Sequence, residues 1–198
     1  AYFTYPSANH TRFEHMIGTY HLAGLMAQKV KEAALIAGHK FIIPEISPEP
    51  TDLTPELIEC IKLAGLCHDL GHGPYSHVLD LFLGEQFSYG KSHPMIDHEA
   101  RSIALARAIL SPYIPEPYVN LVADLIHPEP HVIREVEGTK SQALYQIVSN
   151  YKNGIDVDKF DYLSRDTRSL GFGHDFSYTR LLNSLQVDKM GDITYHRK

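Results

Sequence analysis

His68-Asp69-Leu70-Gly71-His72-Gly73-Pro74-Tyr75-Ser76-His77 decides how this chain is read. Helical periodicity ends at Cys67, two glycines and a proline then punctuate the sequence, and a helical pattern resumes over Tyr75 to Leu83. The stretch predicts a sharp turn between two helices that carries a cluster of polar side chains. A His-Asp doublet where a helix ends offers an imidazole nitrogen and a carboxylate oxygen from adjacent residues. That mixed N/O set suits divalent iron, zinc, manganese or nickel. Alone the doublet is weak, because a single histidine is more often an ordinary core or surface residue satisfied by backbone.

Upstream of the turn, apolar residues recur at helical spacing (Phe13, Met16, Ile17, Tyr20, Ala23, Met26, Ala27, Val30) and predict one long helix from Arg12 to Ala37, ended by Gly38. Thr54-Pro55-Glu56 has a capping hydroxyl, a first-turn proline and a first-turn acid, the start of the helix that runs to about Cys67. Between them, residues 39–53, with Pro44, Pro48 and Pro50 beside Glu45, Glu49 and Asp52, read as an exposed, mobile linker. The proline-rich part, 43–54, has no functional reading. Downstream, Gly84 to Pro94 is polar, glycine-containing and aromatic, a candidate lid. Helical periodicity returns over Asp97 to Leu110, Pro117 to Ile126, Ser141 to Asn150, Asp158 to Leu170 and Ser177 to Val187, and a strand is expected from Asp192. The expected fold class is all-α, a single domain over 1–198 whose two ends look cut from something longer.

Composition narrows the function classes. At 198 residues, 43% hydrophobic and 21% charged, the chain is long enough for one continuous core and is of globular composition. A net charge of −6 argues against broad wrapping of nucleic acid, which needs many cations to displace counterions, but leaves a local basic pocket open. Cys60 and Cys67 fall two helical turns apart, too far to bridge, and read as buried thiols of a reducing compartment. No apolar run approaches the roughly 20 residues that span a bilayer, and no leader pattern opens the chain. The expectation is an intracellular protein, nuclear or cytoplasmic, with no membrane partner.

Six of the 13 histidines fall in two places, His10 and His15 in one segment and His68, His72, His77 and then His98 in another. Together with Asp158 they give the ordered pattern His, His-Asp, Asp. That order resembles the HD-domain superfamily of metal-dependent phosphohydrolases, whose four motif positions match His15, His68, Asp69 and Asp158. Three longer motifs narrow the resemblance. Asn9-His10-Thr11-Arg12-Phe13-Glu14-His15, Cys67 through Pro74, and Ile147 through Tyr162 are similar to the branch that hydrolyses deoxynucleoside triphosphates, typified by the eukaryotic sterile-alpha-motif and HD-domain triphosphohydrolases. The likeness runs from about Tyr5 to about Leu182.

The resemblance implies an HD-domain helical bundle around one divalent transition metal (iron, zinc or manganese), with magnesium accompanying the nucleotide. It implies hydrolysis of a deoxynucleoside triphosphate to deoxynucleoside and inorganic triphosphate. A metal held by two imidazoles and two carboxylates would polarise a phosphate oxygen and acidify water, and an imidazole has the pKa best placed to protonate the leaving oxygen. His72, His77 and His98 are the candidates. His77 is preferred as general acid, with His98 and Asp80 as an orienting or relay pair. Arg12 and Lys159 stand next to metal ligands, where cationic charge suits a triphosphate. On the helix from Asp158, residues Asp158, Tyr162, Arg165 and Asp166 share a face. The family places residues equivalent to Lys159 and Tyr162 at phosphates and sugar, and one equivalent to Asp166 at the deoxyribose 3′-hydroxyl. A salt bridge to a neighbouring acid explains Arg165 at least as well.

In relatives, segments upstream of Tyr2 and beyond Lys198 complete the substrate pocket, a nucleotide-activated regulatory site and the tetramer interface. The metal site is therefore expected within this chain, homo-oligomerisation belongs to the full-length protein, and activity of this stretch alone is expected to be weak or lost. Two other readings stay open. One is an HD phosphohydrolase acting on another nucleotide. The other is a non-catalytic module that senses nucleotides or weakly binds single-stranded nucleic acid.

Overall fold

The computed structural model describes residues 3–86, 96–128, 130–136, 141–172 and 176–196. Helix α1 spans Arg12–Ala37 and begins in a capping box: the Thr11 hydroxyl accepts from the Glu14 amide, and the Glu14 carboxylate accepts from the Thr11 amide at 2.6 Å. Gly38, at φ 67°, closes it in the left-handed conformation that glycine adopts without a steric penalty. Helix α2, Pro55–Cys67, starts on the Thr54 hydroxyl, as the sequence predicts. Helices α3 (His77–Gln86), α4 (His98–Leu110) and α5 (Glu116–Ile126) follow within a residue or three of their expected bounds. The candidate lid contributes its first three residues to the end of α3, and the remainder lies outside the described residues.

Four local readings need correction. Residues 39–53 are not an exposed linker: strands β1 (Phe41–Ile43) and β2 (Ser47–Thr51) pair antiparallel, and Phe41, Ile43 and Leu53 are buried. The prolines fit because β2 pairs on one side only, so Pro48 and Pro50 deprive no second neighbour of a donor. A short helix not anticipated, α6, spans Pro130–Val136. The helix expected over Ser141 to Asn150 shortens to α7, Gln142–Tyr145, because the Ile147 carbonyl accepts from Val157 and the Asn150 amide donates to the Asp156 carboxylate. Those bonds lock the entry to α8, Val157–Leu170. Finally, the last expected helix splits into α9 (Thr179–Ser184) and strand β3 (Leu185–Val187), which pairs with β4 (Ile193–Tyr195), the strand expected from Asp192.

The architecture is helical, with two small hairpins at its margin. Helix α1 packs along α2 and against α8 and β3, while α5 packs on α2 and α4. The α1–α2 seam is built from small residues. Ala23, Ala27 and Ala64 have no exposed surface, and a Cβ on Gly65 would stand 3.0 Å from the Thr19 carbonyl oxygen. Thr19, buried in that seam, donates its hydroxyl to the Gly65 carbonyl at 2.7 Å. This close contact sets the N-terminal part of α1 beside the C-terminal end of α2, where His15 and His68 meet. Cys60 and Cys67 are free buried thiols whose pKa burial pushes up, to about 12 and about 11, so neither is a reactive thiolate at neutral pH.

Candidate metal centre

Three elements converge on one point. His15 comes from the second turn of α1, His68 and Asp69 from the end of α2, and Asp158 from the first turn of α8. Ligand atoms of His15, His68 and Asp158 all lie within 4.8 Å of one another. His15 Nε2 is 3.0 Å from Asp158 Oδ1, and His68 Nε2 is 3.4 Å from both Asp158 Oδ1 and Asp69 Oδ1. The second Asp69 oxygen is held by the Arg12 guanidinium.

The orientation of the imidazoles fits metal binding. His68 Nδ1 donates to the Gly65 carbonyl at 2.7 Å, which leaves Nε2 as the lone-pair nitrogen. That Nε2 is buried and, among the described residues, makes no well-formed hydrogen bond, only the 3.4 Å approaches of the two carboxylates, a costly arrangement unless something else satisfies it. His15 Nδ1 points to Asp161 Oδ2 at 2.7 Å, so its Nε2 likewise faces the centre. Electrostatics agree. Burial opposes protonation of His15, but hydrogen bonds to Asp158 and Asp161 outweigh it and raise the imidazole to about 9. His68 is raised against burial by Asp158 and Asp69. Burial alone would lift the Asp158 carboxyl, yet the His15 and His68 imidazoles beside it hold it far below the usual carboxylate range. Such a negative well favours a cation, either protons on the imidazoles or a divalent metal in their place.

A second cluster adjoins the first. The rings of His72 and His98 stack at 4.0 Å, and His77 lies edge-on to both at 4.9 Å. His98 Nδ1 is 2.9 Å from Asp80 Oδ2, whose other oxygen is bound by Arg101. Burial, with His98 beside it, pushes His72 down to about 4 although Asp69 pulls the other way. The shift favours the neutral form of His72. The loop that delivers His77 turns through Tyr75 and Ser76 at φ 63° and 54°. Non-glycine residues in that region cost on the order of 1–3 kcal/mol each and collect at functional sites. Arg12 also binds the Ser76 hydroxyl, bracing the turn from α1.

Two cavities meet at Asp69, His72, His77 and Asp158. One continues past His98 to Glu99, Val148 and Asp156. The other opens past Arg12 and His15 to Tyr162 and Asp166, the latter paired with His10 Nε2 at 3.0 Å. Arg12, Tyr162 and Asp166 thus line one space with His15, Asp69 and Asp158. Lys159 does not: its ammonium donates to the Gly154 carbonyl at 2.5 Å. Arg165 makes the salt bridge weighed for it, to Asp161. The sequence reading passed over Asp161 and Arg101, which touch the expected residues from behind. The i, i+4 spacing of Asp161 and Arg165 signals a pair, but not that the pair faces His15.

The HD domain family model matches residues 12–166. An HD domain-containing protein of Acanthamoeba polyphaga mimivirus is 39% identical over 201 residues, covering 100% of this chain and 41% of the relative. The deoxynucleoside triphosphate triphosphohydrolase SAMHD1 of Gallus gallus is 32% identical over 209 residues, 96% of this chain and 31% of the relative. That of Homo sapiens is 32% identical over 204 residues, 94% of this chain and 30% of the relative. The chain spans less than half the length of these relatives. The match covers the histidine of α1, the doublet closing α2 and the aspartate opening α8, and with them the chain belongs to the HD domain family.

Proposed function

We propose that this chain is the catalytic core of a metal-dependent phosphohydrolase that converts deoxynucleoside triphosphates to deoxynucleoside and inorganic triphosphate. The observation that carries the reading is the convergence of His72, His77, His98 and Asp80 beside the His15, His68 and Asp158 cluster, where two cavities join. A structural metal site needs only its ligands; an adjacent imidazole cluster is what a hydrolase needs. The names of the vertebrate relatives support the substrate class.

His15, His68, Asp69 and Asp158 would hold the metal, which when bound supplies charge stabilisation of the phosphate and acidifies water. The chain's own residues do the rest. Arg12 offers its guanidinium to phosphate oxygens and gives up its bonds to Asp69 and Ser76 as it does so. Lys159 joins it by swinging its flexible stem away from Gly154. Tyr162 and Asp166 receive the sugar, the carboxylate accepting from the 3′-hydroxyl. His77, whose side chain is 72% exposed at the cavity junction, protonates the leaving 5′-oxygen. Burial lowers His72 and so favours its neutral form, which suits it to hydrogen-bond beside His77 in the same pocket. Asp80 orients His98, which relays the proton. Magnesium with the nucleotide, homo-oligomerisation of the full-length protein and a nuclear or cytoplasmic site of action belong to the same reading. Among the described residues, no helix is long and apolar enough to cross a membrane.

Phosphorus NMR of a dGTP reaction tests the assignment. Inorganic triphosphate with deoxyguanosine is expected. Pyrophosphate or orthophosphate as first product would replace it with an HD phosphohydrolase of other specificity, and no turnover by the full-length polypeptide would point to a binding module.

A further inference from the structure

The two imidazoles of the metal centre are oriented by different means. His68 leans on a backbone carbonyl, that of Gly65. His15 leans on a carboxylate: its Nδ1 lies 2.7 Å from Asp161 Oδ2, and both side chains are about nine-tenths buried. Asp161 is gripped in turn. Arg165 Nε donates to Oδ2 at 2.8 Å and Nη2 to Oδ1 at 2.9 Å, a two-pronged contact that fixes the carboxylate plane. The same Nη2 donates to the Glu14 carbonyl at 3.0 Å, which ties the pair to the backbone of α1 beside His15.

Gly18 makes this possible. It sits one turn beyond His15 on α1, and a Cβ there would stand 1.9 Å from Asp161 Oδ1 and 2.6 Å from Arg165 Nη2. Helix α1 therefore leaves a notch into which the carboxylate and guanidinium of α8 fit. Glycine in a helix interior costs on the order of 1 kcal/mol relative to alanine, and here the missing side chain has a use.

We propose that Asp161 is the positioning residue of the metal centre, braced by Arg165 and admitted by Gly18. It holds the proton on His15 Nδ1 so that Nε2 presents its lone pair, and its charge strengthens that nitrogen as a ligand. The inference rests on the metal-centre reading but not on the substrate. Metal affinity thus depends on a carboxylate that is not itself a ligand, and His15 is the more strongly tuned of the two imidazoles.

The test uses metal-stripped wild type, Asp161→Asn, Asp161→Ala and Arg165→Met, titrated with Mn(II) against a chromophoric chelator, followed by visible absorption of the Co(II)-loaded proteins. Asp161→Ala should weaken Mn(II) binding about 10- to 100-fold and alter the Co(II) bands. Asp161→Asn keeps an oxygen that accepts from Nδ1 and should recover part of that loss. Arg165→Met, farther from the centre, should give a smaller loss, and it decides the matter if Asp161→Ala does not fold. Affinities within about threefold of wild type, with unaltered Co(II) bands, in every variant that folds overturn the proposal. So does a wild type that takes up no metal. Metal loss in the variants of a protein that hydrolyses no triphosphate upholds it while removing the substrate assignment.

Discussion

Gly71 lies in the turn between α2 and α3, and replacing it with alanine probes how the doublet loop is seated on α4. A Cβ at this position would stand 2.1 Å from the His98 carbonyl oxygen, 2.4 Å from the Ser102 amide nitrogen and 2.7 Å from the Arg101 Cβ. The first two are backbone atoms of α4 and cannot rotate aside. Carbon to oxygen contacts normally begin near about 3.3 Å, so loop and helix must part by roughly 1 Å. Forced overpacking of this kind costs about 1–3 kcal/mol. The separation also stretches the bonds from Gly71 N to Ser102 Oγ and from Arg101 Nε to Gly71 O, both 2.8 Å, at about 1 kcal/mol each. The expected loss is about 3–5 kcal/mol, which in a domain of this size lowers Tm by roughly 6–20 °C. Thermal unfolding followed by circular dichroism reads it out. Gly84→Ala, in α3, is the control, since among the described residues a Cβ there meets only Ile96 Cγ2 at 3.8 Å, so that Tm should be unchanged or slightly raised. A Gly71→Ala protein that melts within about 2 °C of wild type would refute this account of the seat.

His77→Ala should abolish turnover while leaving metal content intact, measured by elemental analysis beside a product assay; unchanged turnover removes it as general acid. Thr19→Ala deletes the hydroxyl bound to the Gly65 carbonyl in the α1–α2 seam and should cost about 1 kcal/mol, read as a drop in Tm. A third expectation concerns pH. His15 titrates at about 9 in the fold against about 6.5 unfolded, so its contribution to stability is complete below pH 6.5 and lost as pH rises through 9. The Tm of metal-free protein should therefore fall across that window. The metal-loaded protein should not show this fall, because the metal takes the proton's place; equal slopes with and without metal would contradict the assignment.

How much of this was legible in the sequence depends on the kind of signal. The doublet, its punctuation and the aspartate opening α8 could be read because a turn with glycine, proline and titratable groups has few alternative explanations. The long helices could be read because Thr54-Pro55-Glu56 and Gly38 mark their ends. The β1–β2 hairpin was misread because its prolines dominate the composition, whereas the alternation of Phe41 and Ile43 and the burial of Leu53 carry the information. Strand β3 was absorbed into a helix because Leu185 and Val187 suit both periods, and only pairing with Ile193 and Tyr195 resolves them. Asp161 and Arg101 were passed over because their importance lies in contacts across 146 and 21 residues, to His15 and Asp80. No local pattern encodes such a partner. Gly18 and Gly71 are invisible for the same reason: what excludes a side chain belongs to another element.

The most direct test of the central claim is triphosphate release from dGTP while metal-free protein is titrated with Mn(II), wild type beside Asp158→Ala. The account predicts turnover that rises with metal and saturates near one equivalent in wild type, and none in the variant. Turnover without metal, or equal turnover in Asp158→Ala, would contradict it.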